Sequence, residues 1–94
     1  MADMTPDRDT LRALADEGNE LALDRLADLA DARGDLEELN ELLDEGCERA
    51  GHLLSRRAVS AGDLRELQRL WDAGSEEAGE ELKRLLSTPI EHQS

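Results

Sequence analysis

Apolar residues recur along this chain at helical spacing, and glycines interrupt the pattern at regular intervals. Gly18, Gly34, Gly46, Gly62 and Gly74 are separated alternately by 16 and 12 residues, which defines a period of 28. Cutting at that period gives Asp7–Gly34, Asp35–Gly62 and Asp63–Ile90. Eight columns then hold one residue type throughout: Asp7/Asp35/Asp63, Leu11/Leu39/Leu67, Leu14/Leu42/Leu70, Asp16/Asp44/Asp72, Gly18/Gly46/Gly74, Glu20/Glu48/Glu76, Ala22/Ala50/Ala78 and Leu26/Leu54/Leu82. A fixed internal period is the signature of a repeat architecture. Within each unit the spacing predicts two helices. The opening Asp is an N-cap, and Asp35 with Glu38, like Asp63 with Glu66, matches a capping box. Leu36, Leu39, Leu42 and Leu43 then form one helical face, and Gly46 ends the helix in the left-handed conformation. Asn19 and Ser75 cap the second helix directly, Cys47 replaces them in the middle unit, and Gly34 and Gly62 close it.

The second helix carries small residues on its buried side. Ala22, Ala50 and Ala78 open that face, and Leu26, Leu54 and Leu82 continue it. Gly51 and Gly79 lie beside the alanines at a cost of roughly 1 kcal/mol each relative to Ala, which implies close approach of the two helices there. The expected architecture is all-α: a right-handed α-solenoid of three helical hairpins with six helices in residues 7–90. Residues 1–6 form a lead-in and residues 91–94 a tail.

Two segments, Leu14-Ala15-Asp16-Glu17-Gly18 and Leu26 to Leu36, together with Ala61-Gly62-Asp63-Leu64, resemble short bacterial tandem repeats of the form GDLxxLxxLADAGxxxAAxxLAxLAxxRG. The arrangement is similar in kind to tetratricopeptide and Sel1-like repeats, although the period is shorter and the bulky aromatics of the tetratricopeptide signature are missing. The resemblance implies a protein-interaction or scaffold role.

Composition narrows the partners. The chain has 94 residues and a net charge of −13, from 24 acidic and 11 basic side chains. That balance argues against nucleic acid and against an anionic membrane surface, since both need compensating Lys and Arg. No apolar run is long enough to span a bilayer, and the start does not resemble a signal peptide. The lone Cys47 excludes an internal disulfide and suits a reducing cytoplasm.

Candidate chemistry is sparse. Cys47, Glu48 and His52 invite a metal-site reading, but the sequence offers no second Cys or His nearby, and a Glu48–His52 surface ion pair is the simpler expectation. Cys47 at a helix N-terminus is expected to be somewhat more reactive than a free thiol. Asp16, Asp44 and Asp72 recur in every unit, as a catalytic residue would not, and read as structural. No catalytic, cofactor-binding or metal-ligating residue is assigned, and the chain is read as not an enzyme.

Departures from the period are more informative. Arg57 stands in the column of Leu29 and Leu85, and Val59 in that of Asp31 and Ser87. Arg57 either lays its stem on the core or joins Arg56 and Val59 in a contact patch. Trp71, in the column of Ala15 and Leu43, either plugs the last repeat beneath Pro89 and Ile90 or stands exposed as an anchor. The outward positions of the short helices form a stripe of Asp9, Arg12 and Ala13, then Glu37, Asn40 and Glu41, then Arg65, Gln68 and Arg69. The stripe is either a solubilising face or a binding surface. As the latter, its residues together with Trp71 are the expected contacts for a protein partner or for self-association, including a homodimer. The rival reading is a small acidic immunity-type or inhibitor protein that neutralises a basic partner through its charge.

Overall fold

The structure, a computed structural model, describes residues 7–87. The lead-in, Pro89 and Ile90, and the tail lie outside the described residues. The described chain is all-helical. The helices are α1 (Arg8–Asp16), α2 (Glu20–Arg33), α3 (Leu36–Asp44), α4 (Glu48–Ala61), α5 (Leu64–Asp72) and α6 (Glu76–Ser87).

Short and long helices alternate because the chain marks both ends of each. Asp7, Asp35 and Asp63 accept the backbone N–H of Thr10, Glu38 and Glu66. Asn19 accepts that of Ala22, and Ser75 Oγ that of Ala78. Cys47 holds the same place before α4 but makes no side-chain cap bond. At the far ends, Gly34 and Gly62 adopt φ of 70° and 66°, where the amides of Asp35 and Asp63 reach back to the carbonyls of Ala30 and Ala58. That bond corrects the capping-box expectation. The Asp35 and Asp63 N–H groups are already committed to the preceding helix, so Glu38 and Glu66 have no donor to return to. Both turn instead to arginines.

The core runs along the middle of the hairpins. Leu39, Leu42, Leu67 and Leu70 of the short helices are wholly buried against the column Leu26, Leu54 and Leu82 of the long ones. The alanine column Ala22, Ala50 and Ala78 lies among them. Leu36 departs from the face assigned to it: it is 45% exposed, and Leu64 in the same column is 40% exposed. Each short helix packs on the long helix that follows it, and α2, α4 and α6 pack in succession. Among the described residues no backbone-level packing joins α1 or α2 to α5 or α6.

The two helical glycines are covered by side chains rather than by another backbone. A Cβ on Gly51 would meet Leu43 Cδ1 at 3.2 Å and Ser75 Oγ at 3.3 Å. A Cβ on Gly79 would lie 2.5 Å from the Trp71 ring. Trp71 therefore closes its own hairpin while remaining 37% exposed.

Candidate functional site

The stripe predicted on α1, α3 and α5 lies at the surface, but its residues divide into two groups. One group is tied down. Arg12 donates to Asp16 Oδ1 at 2.9 Å and to Glu45 in the next hairpin, and these carboxylates raise its pKa further above the usual arginine value. Arg69 donates to Asn40 Oδ1 at 2.8 Å and to Glu66, so it links α5 to α3. Asn40 also donates to the Leu36 carbonyl at 2.9 Å, and Gln68 donates to Asp72 at 3.0 Å. The other group is Asp9, Glu37, Glu41 and Arg65, which are exposed and hold no ion pair or side-chain hydrogen bond among the described residues. The free charges of the stripe are thus acidic on α1 and α3 and basic on α5. Trp71 does not join them, because its ring is turned onto α6.

A second surface lies at the tips of the hairpins and was missed by spacing alone. An open groove of about 860 Å³ runs between the α3–α4 and α5–α6 turns, lined by Asp44, Cys47, Glu48, His52, Glu76 and Glu77 among others. It adjoins a groove of about 710 Å³ toward the first hairpin, which shares Cys47, Glu48, His52 and Glu77. Part of the acidity had a visible signal in the invariant column Glu20/Glu48/Glu76. Each of these opens a long helix, where a carboxylate complements the positive end of the helix dipole.

Two expectations fail in this groove. His52 does not pair with Glu48; its Nδ1 lies 2.8 and 2.9 Å from the carboxylate oxygens of Glu77, joining α4 to α6. Cys47 is not an activated thiol. It is 2% exposed, its Sγ lies 3.7 Å from the Leu23 carbonyl, and burial pushes its pKa up. The neighbouring Asp24 carboxylate adds to that rise. Among the described residues no cluster of three or more His, Cys, Asp or Glu side chains has the arrangement to hold a metal ion.

The outer face of the long helices is cross-braced. Arg49 Nε donates to Asp28 Oδ1 at 2.8 Å. Arg57 donates through Nε to the Asp31 carboxylate and through Nη2 to the Asp31 backbone carbonyl, both at 2.8 Å. This resolves the column swap: Arg57 is a brace to the last turn of α2, while Val59 packs against the core and Arg56 stays exposed. The three do not form one patch.

No protein-family model, no curated protein and no solved structure matches the chain. No helix among the described residues is long and apolar enough to cross a membrane.

Proposed function

We propose that this protein is a non-enzymatic protein-interaction or assembly module, built as an α-solenoid of the tetratricopeptide kind and working in the cytoplasm. The observation that carries the reading is the division within the short-helix stripe. Arg12, Asn40, Gln68 and Arg69 are fixed by bonds to neighbouring side chains, two of them between hairpins (Arg12–Glu45 and Arg69–Asn40), so the surface is held in one form before any partner arrives. Asp9, Glu37, Glu41 and Arg65 stand solvent-exposed on that held surface and hold no ion pair among the described residues. Preorganisation lowers the ordering cost of binding, and free charges of both signs set orientation and specificity. The triplicated carboxylates at helix ends support a structural rather than a catalytic use of acid groups.

The test is capture from native lysate by the purified chain and by its Glu37→Ala/Glu41→Ala/Arg65→Ala variant, with washes at low and high salt. The reading predicts a partner held by the wild type through the high-salt wash and lost by the variant, whose helicity is unchanged. A partner retained equally by both counts against the stripe. The hairpin-tip groove favours a second reading, an acidic neutraliser of a basic protein, since Asp44, Glu48, Glu76 and Glu80 leave it strongly negative. In that case the captured protein is basic, is released by salt, and is indifferent to the stripe variant.

A further inference from the structure

The two internal junctions seat the residue before each long helix in the same way. Cys47 sits on α2, with its Sγ against the Leu23 carbonyl and near Asp24. Ser75 sits one period later on α4, with its Oγ 3.3 Å from Ser55 Oγ and against Gly51. The columns beneath this seat are small or covered: Ala27 and Ser55 are 0% exposed, and Ala30 and Ala58 are also buried. At Gly51 the cover is shared, one contact coming from Leu43 of the same hairpin and two from Ser75 of the next.

On α6 the corresponding positions have changed together. Gly79 stands where Leu23 and Gly51 stand, and all three of its nearest contacts are atoms of Trp71, in the column of Leu43. Lys83 stands where Ala27 and Ser55 are buried, and its Nζ lies 5.0 Å from the centroid of the Trp71 ring. Leu86 replaces the buried alanines Ala30 and Ala58 and is 66% exposed. The indole thus lies over Gly79 in the place that Leu43 and an incoming Ser75 share over Gly51, and the ammonium lies over its ring.

We propose that Trp71 and Lys83 close the seat for a following hairpin, so that the chain stacks no second copy on its C-terminal end. The inference rests on the stacked-hairpin reading and names which end of that stack is closed to self-association. An unmodified seat at this end would accept Asn19 of a second copy, which shares its column with Cys47 and Ser75, and such head-to-tail contacts do not close on themselves. A lysine ammonium at a position that docking would bury opposes that growth through its desolvation.

The test restores the internal identities with Trp71→Leu, Lys83→Ser and Leu86→Ala, copying Leu43, Ser55 and Ala58. By sedimentation equilibrium the wild type is expected to keep its single-chain mass as concentration rises. The triple variant is expected to gain about twofold or more in average mass, and Asn19→Lys in the same background to cancel the gain. A triple variant of wild-type helicity that stays monomeric overturns the proposal. So does a wild type that self-associates with loss of Trp71 quenching by iodide. If the triple variant fails to fold, Trp71→Leu/Lys83→Ser removes both closing groups and leaves Leu86 in place. A concentration-dependent rise in its mass supports the proposal and an unchanged mass overturns it. A wild type that is monomeric yet captures no partner leaves this inference standing while the stripe reading falls.

Discussion

The indole of Trp71 lies flat on Gly79, with Cε2 2.5 Å and Nε1 2.6 Å from the point a Cβ would occupy. One period earlier Leu43 faces Gly51, and the first hairpin carries Ala15 and Leu23 in those columns. A large side chain on the short helix thus coincides with glycine on the long helix, and a small one with leucine.

Gly79→Ala is therefore expected to destabilise the protein by about 1–3 kcal/mol, since the ring must move and outweighs a gain in helix propensity of about 1 kcal/mol. In a Trp71→Ala background the same change is expected to become stabilising by roughly 0.5–1 kcal/mol. Urea denaturation of the four chains in a double-mutant cycle measures the coupling, and additive effects would refute it.

Glu38 is the one buried carboxylate among the described residues, and it accepts from Arg8 at 2.8 Å and from Arg33 at 2.9 Å. It thereby fastens α1 and the end of α2 to α3. Both arginines are about half exposed and rehydrate when released, so Glu38→Ala is expected to cost about 1–2 kcal/mol rather than the full penalty of a stranded buried charge. Single Arg8→Ala and Arg33→Ala variants should each cost less than Glu38→Ala in the same denaturation assay.

Glu38 also shows where reading the sequence stops. Helix ends were legible because each is signalled within a few residues: Asp35 and Asn19 as caps, Gly34 and Gly46 as stops. The pairings between hairpins were not. Asp28 with Arg49 spans 21 residues, His52 with Glu77 spans 25, Asp31 with Arg57 spans 26, and Arg8 with Glu38 spans 30. None of these equals the period of 28, so none joins a residue to its own column mate. Column alignment therefore gave His52 the wrong partner, Glu48, and put Arg57 in the apolar column of Leu29 and Leu85 without finding Asp31. The stripe positions were legible as exposed, but which of them stay unpaired depended on pairings of the same kind.

Cys47 is expected to react slowly with a neutral thiol reagent in the folded protein and rapidly after denaturation, since it is buried and its thiol pKa is raised. Cys47→Ser should add the missing cap to α4, as Ser75 does for α6, and raise stability by about 0.5–1 kcal/mol in a thermal melt. A fall in melting temperature would mean that burial of the sulfur outweighs the cap.

Asp35 has its pKa lowered from the ordinary 3.8, chiefly by the Glu38 N–H it accepts and further by Arg33. The folded state therefore prefers the carboxylate more strongly than the unfolded chain does. The stabilisation is fully present above the ordinary aspartate value and is lost as pH falls through it toward the lower folded value. Asp35→Asn, which keeps a capping oxygen without the charge, should flatten the acid limb of the stability–pH curve between those two values. An unchanged acid limb would show that Asp35 contributes nothing to it.

The turns leave the chain no slack. At Gly34–Asp35 one residue's amide closes the helix behind it while its side chain opens the helix ahead, and Gly46–Cys47 performs the closing step at the opposite edge. A single inserted residue would separate those two duties and rotate everything downstream out of phase with its neighbour. Lengthening or shortening of such an array is therefore confined to whole hairpins, added or removed as units, and point insertions should be found only beyond its ends.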